Sequence, residues 1–150
     1  MDDLKKGLYE MCVNYIQNRI DAAQQAIEEA QKASNDDTKS SAGDKYETSR
    51  EMMQQETNRN LGQLNEANKL KVALNLVSIA GTSKKAETGN VIITNRGNFY
   101  IAVGAGMLSF NGKTYFAISP ASPIGIKLKG LKAGDEFKLK DISYLIEKII

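Results

Sequence analysis

The chain has 150 residues, 41% hydrophobic and 25% charged, with 20 basic against 18 acidic side chains, no histidine, no tryptophan and one cysteine. Without histidine there is no Ser-His-Asp or Cys-His nucleophile pair and no imidazole zinc site, and one cysteine allows no internal disulfide. The opening Met1-Asp2-Asp3-Leu4-Lys5-Lys6 lacks the apolar core of a secretory signal, and no apolar run nears the ~18 residues of a membrane span, so a soluble cytoplasmic protein is expected.

The near-neutral total conceals a division. Residues 1–75 carry 10 basic and 13 acidic side chains, whereas residues 76–150 carry 10 and 5. Both prolines, Pro120 and Pro123, lie in the second half. The composition shift predicts two units, 1–78 and 86–150, with Gly81-Thr82-Ser83-Lys84-Lys85 as a linker.

In the first unit, apolar residues recur at Leu4, Leu8, Met11 and Tyr15, then at Ile20, Ala23, Ile27 and Ala30. Steps of three and four, with one stutter after Tyr15, predict a helix with one buried stripe. The pattern stops at Ala33, and the polar stretch from Ser34 to Asp44 predicts a tip. A second helix starts at Asp44, where Asp44 and Glu47 have the spacing of a capping box. Its weaker stripe runs through Tyr46, Met53, Leu61, Leu64, Ala67 and Leu74. Two such helices bury their stripes only against each other, so they form an antiparallel hairpin, about 30 residues giving roughly 45 Å of arm.

The second unit alternates apolar and polar residues around turn signals. Strands are predicted at 90–94 and 99–103 around Asn95-Arg96-Gly97-Asn98, and at 107–110 and 113–118 around Asn111-Gly112. A short helix follows Pro123 and stops at Gly130, and two strands near Glu136–Leu139 and Ile142–Ile149 complete an α+β, β-rich domain.

Three places carry candidate chemistry. Asp36 and Asp37 at the tip, with Asp44 and Glu47 behind them, offer carboxylates of the kind that hold Mg²⁺ through one or two oxygens plus water. The plainer reading is a polar turn with Asp44 and Glu47 as caps. Ser119-Pro120-Ala121-Ser122-Pro123-Ile124-Gly125 holds two prolines in four residues, a stiff loop suited to docking. Ser122-Pro123 equally suits an N-cap followed by proline at the first helical position. Lys127, Lys129, Lys132, Lys138 and Lys140 form a basic set without any nucleic-acid reading motif, the usual composition of a solvated face.

Together these residues resemble the bacterial Gre transcript-cleavage factors, GreA and GreB. The match covers nearly the whole chain and is most specific over Ile118–Gly125, continuing to Leu128, Gly130 and Asp135, which is similar to the family's Ser-Pro-Ile-Ala segment. At the tip, Asp37, Ala42, Tyr46 and Arg50 align with family positions. Ser40 stands where the family has its second acidic residue, and about two extra residues separate Ala42 from Tyr46.

The resemblance implies a coiled-coil arm followed by an FKBP-like domain. It implies docking of that domain on RNA polymerase through Ser119, Ser122, Pro123 and Ile124, with Tyr46 and Arg50 on the arm also facing the partner. The tip then enters the secondary channel and meets the nascent RNA 3′ end. There Asp36 and Asp37, with Asp44 and Glu47 as further candidates, assist a Mg²⁺ shared with the polymerase, Asp37 being the expected ligand. Such a protein is a monomeric helper and not an enzyme in its own right. The other readings are a channel binder that does not stimulate cleavage, an FKBP-like prolyl isomerase, and a coiled-coil adaptor.

Overall fold

The computed structural model describes residues 2–37, 44–79 and 83–150, with side chains described throughout except at positions 2, 34–37, 44–47 and 49. The elements are α1 (Asp2–Asp37), α2 (Asp44–Asn75), β1 (Val91–Thr94), β2 (Gly97–Ile101), β3 (Gly106–Phe110), β4 (Lys113–Ile118), α3 (Pro123–Leu128), β5 (Glu136–Leu139) and β6 (Ile142–Ile149). The fold is therefore α+β, helices first and a mixed sheet after them. Among the described residues no helix is long and apolar enough to cross a membrane.

Helix α1 continues one turn past Ala33, where the apolar stripe ends. Ser, Asn and Asp are only mildly unfavourable in a helix, and each added residue gains a backbone hydrogen bond once the helix is running. No proline or glycine stands between Ala33 and Asp37 to halt it.

Compactness divides the chain into Met1–Tyr15 with Lys71–Ile150, and Ile16–Leu70. The first four turns of α1 and the end of α2 thus belong with the sheet. In this unit the strand order is β3-β4-β2-β1-β6-β5. Every neighbouring pair is antiparallel except β2 and β4, which run parallel with Phe99 beside Phe116 and Ile101 beside Ile118. The β3–β4 turn is made by Asn111 (φ 50°) and Gly112 (φ 78°), the backbone that Asn-Gly favours. Lys140 (φ 51°) and Asp141 (φ 65°) make the same left-handed pair between β5 and β6, where the sequence carries no glycine signal.

Both faces of the sheet carry apolar side chains. Ile92, Phe99, Ile101, Phe137 and Ile146 form a core with Ala86 and Leu128, and Ile124, Leu131 and Tyr144 pack against it, so α3 covers this side. Aromatic rings link strands across this face: Phe137 stacks on Tyr144 at 4.8 Å, Tyr144 meets Phe99 edge-on at 6.2 Å, and Phe99 lies 6.0 Å from Phe116. Cross-strand register sets Val91, Tyr100 and Ala117 on the opposite face, all buried. Here α1 supplies cover, with Phe110 against Gly7.

The stripe of α1 differs from the one its spacing predicts. The buried apolar residues are Leu8, Cys12, Ile16, Ile20 and Ala23, while Met11 and Tyr15 are half-buried. Steps of four, four, four and three leave no stutter. The spacing favours the larger Met11 and Tyr15 over small Cys12, yet an unpaired cysteine is among the most buried residue types.

In the unit Ile16–Leu70, α1 and α2 flank a shallow groove lined by Ala30 and Gln31 from one helix and by Arg50, Met53, Gln54 and Thr57 from the other. Along α2, Ala67 is buried and Leu64 half-buried, as their spacing predicts, but Leu61 is exposed and Asn60 turns inward instead.

Candidate functional site

The loop from Ser119 to Gly125 is held by its own backbone and hydroxyls. Ser122 is the N-cap of α3: the Gly125 N–H donates to its Oγ at 3.1 Å, and the hydroxyl donates in turn to the Ser119 carbonyl at 2.6 Å. That carbonyl also accepts the Ser122 N–H at 3.0 Å, and Ser119 Oγ accepts the Ala121 N–H at 3.1 Å. Pro123, at the first helical position, has no N–H to satisfy, which suits a helix start. A β-carbon on Gly125 would strike the Ser119 carbonyl oxygen and come within 3.0 Å of Pro120 backbone atoms, so only glycine lets the helix lie this close to the loop.

These bonds sort the candidate docking residues. The Ser119 and Ser122 hydroxyls are spent on the loop itself. Ile124 is half-buried and packs against the core. Pro120 and Pro123 are exposed, and Ile126, one turn along, is 63% exposed. The outward surface is therefore Pro120, Pro123 and Ile126, a set in which Ile126 was not singled out from the sequence. Its apolar neighbours at 124 and 128 mask its opposite direction until the helix is placed.

Beside the loop lies a cleft of about 440 Å³, lined by Ala86, Glu87, Thr88, Ile101, Pro120, Gly125 and Lys129. Its far wall is the segment before β1, which runs antiparallel to the chain after α3. Lys85 bridges to Lys132, the Ala86 N–H donates to the Leu131 carbonyl at 2.7 Å, and the Gly130 N–H donates to the Ala86 carbonyl at 2.9 Å. Lys85, at the end of the stretch that the sequence marks as linker, thus takes part in a pairing in the β-rich unit, with Lys84 beside it; residues 81–82 of that stretch lie outside the described residues. Asp135 closes the turn on the other side, its Oδ2 accepting the Lys132 N–H at 2.8 Å. Of the lysines, Lys129 lines the cleft, Lys132 pairs with Lys85 beside it and Lys127 lies on α3, whereas Lys138 and Lys140 sit on β5 and its turn.

In the unit Ile16–Leu70, the backbones of Asp36 and Asp37 lie in the last turn of α1, and those of Asp44, Tyr46 and Glu47 in the first turn of α2. The proposed capping box and the carboxylate set therefore fall on side chains outside the described residues, as do Ser40 and Ala42. Arg50 is exposed and borders the groove between the two helices. Among the described residues no group of three or more potential metal-ligating side chains occurs.

Sequence reasoning missed one buried pair. Cys12 on α1 and Tyr100 on β2 are both fully buried, and the Tyr100 hydroxyl has no hydrogen-bond partner among the described residues. Burial raises the Cys12 thiol from 9.0 to about 11. The Tyr100 hydroxyl is raised further, first by burial and then by the neighbouring Cys12 and Tyr9. A cysteine so placed is a poor nucleophile, because the thiolate is the reactive form.

No family model matches the chain, and no curated protein or solved structure matches it.

Proposed function

We propose that the chain is a Gre-like transcription factor, a helical arm carried by an FKBP-like domain that docks on RNA polymerase. The observation that carries this reading is the self-bonded Ser119–Gly125 loop, in which Ser122 caps α3, Gly125 permits the close approach and Pro123 is turned outward. A loop held by these internal hydrogen bonds meets a partner in one shape and loses little entropy on binding. The order of elements, two long helices and then a six-stranded domain, supports the same reading.

On this reading the arm enters the secondary channel and brings Asp36 and Asp37 toward the nascent RNA 3′ end. The hydrolytic machinery and its Mg²⁺ belong to the polymerase; the chain's part is to add negative charge beside that ion and to exclude solvent around it. A divided-metal arrangement of this kind explains how a protein without histidine takes part in hydrolysis.

Halted elongation complexes with backtracked RNA test the proposal. Added protein is expected to shorten the transcript from its 3′ end, and Asp36→Asn/Asp37→Asn to abolish the effect while leaving polymerase binding intact. Binding without shortening identifies the second reading, a channel binder that regulates without cleavage, which Ser40 at the family's second acidic position favours. No binding to polymerase overturns both.

A further inference from the structure

The pairing between the segment before β1 and the segment after α3 breaks a rule of strand chemistry. Lys85 and Lys132 stand directly opposite each other across an antiparallel bridge, and both are exposed. Like charges on directly opposed residues, whose β-carbons lie ~4.5–5.5 Å apart, destabilise the pairing. Lys84, next to Lys85, and Lys129, next to the Gly130–Ala86 hydrogen bond, add to the same region, and none of these four lysines makes an ion pair with a carboxylate among the described residues. Two acidic residues are near. Asp135 turns one oxygen to the Lys132 backbone N–H, and Glu87 lines the cleft that Lys129 also lines. A local violation with no compensation inside the fold marks a functional surface, here one that lacks an anion.

We propose that Lys85, Lys132 and Lys129 receive an acidic protein segment that carries one bulky apolar side chain. Its carboxylates sit on the lysines, and its apolar group enters the neighbouring cleft. The inference rests on the docking reading above for its supposition of a protein partner, and it names that partner's chemistry. The cleft decides between a protein and a nucleic acid. Ala86, Ile101, Pro120 and Gly125 give it apolar walls, and among the described residues no aromatic ring lines it. A phosphate backbone has no apolar group to bury there, and a single strand would want a ring on which to stack its bases. Ile126, 63% exposed on α3 next to Lys127, extends the same mixture of apolar and basic surface.

The test uses the full chain labelled with ¹⁵N and titrated to millimolar with the peptide Glu-Asp-Glu-Leu-Glu-Asp-Glu. Saturable amide shifts are expected at residues 84–88 and 129–132. Binding should weaken roughly tenfold on Lys85→Glu, and again when the salt is raised through the screening range. Replacing the peptide's Leu by Ala should weaken it as well. Lys85→Glu sets a carboxylate opposite Lys132, so the variant's melting temperature should not fall, which separates lost binding from lost folding. The inference is overturned if shifts are absent or lie elsewhere, if Lys85→Glu binds like the parent, or if a DNA duplex of equal charge binds more tightly. The titration needs no polymerase, so its failure is distinct from failure of the transcript assay.

Discussion

The ring of Phe110, at the end of β3, fills the space that a β-carbon on Gly7 of α1 would occupy, with Cδ2 2.8 Å and Cζ 3.1 Å from that position. A glycine in the first turns of a helix is normally a liability, worth about 1 kcal/mol against alanine. Here the liability is what allows the ring to sit on the helix backbone. Gly7→Ala should therefore fail to deliver its ~1 kcal/mol helix gain, because overpacking takes about as much away. In a Phe110→Ala background the same substitution should stabilise, and urea denaturation of the four proteins in a double-mutant cycle measures the coupling. Additive effects would show that the contact has no energetic weight.

Ser122 and Pro123 are neighbours with separable roles. Ser122→Ala removes the N-cap of α3 and leaves the Gly125 N–H without its acceptor, and about 1 kcal/mol of stability should go with it. Pro123→Ala should leave stability within about 0.5 kcal/mol, because the proline is exposed and makes no core contact. Its expected effect is on affinity for RNA polymerase, which should drop. Equal affinity for Pro123→Ala and the parent would remove Pro123 from the docking surface.

The Tyr100 hydroxyl is buried with nothing to bond among the described residues. Deleting an unsatisfied polar atom while keeping the ring removes a desolvation penalty, so Tyr100→Phe should raise stability by about 1 kcal/mol. Thermal and urea unfolding of this one variant check the sign. A loss of stability would mean that the hydroxyl has a partner in solution.

Burial of Cys12 also sets an alkaline limit. In the unfolded chain the thiol ionises near 9.0, whereas in the fold it stays protonated to about 11. Above the lower value the unfolded state binds fewer protons than the folded state, so stability falls as pH rises through that window and is at its full value below it. Tyr100, raised in the same direction from 10.0, adds to the decline above about pH 10. Cys12→Ala should have a flatter stability profile between pH 9 and 11 than the parent, although a lower plateau from the lost packing. The folded parent should also react slowly with a thiol reagent at neutral pH, and quickly once unfolded.

A proline-isomerisation assay on a model peptide separates the docking reading from catalysis by the β-rich domain. The cleft at α3 is walled by Ala86, Ile101, Pro120 and Gly125, while Phe99, Phe116, Phe137 and Tyr144 pack against one another along the sheet. No acceleration over the uncatalysed rate is expected, and measurable turnover would reassign the domain.

Short-range order was legible along the chain. The ranges 113–118, 136–139 and 142–149 coincide with β4, β5 and β6, because alternation and turn chemistry act within a few residues. The same holds for Ser122-Pro123 as a helix start and for the glycine demanded at the Asn111-Gly112 turn. Which surfaces meet depends on contacts between distant segments. Nothing local orders β2 beside β4 in parallel, turns Cys12 inward in place of Met11, or sets Lys85 against Lys132. Each depends on partners far away in sequence. Burial and pairing free energies belong to such contacts, and a period of two or of 3.6 residues carries no record of the partner.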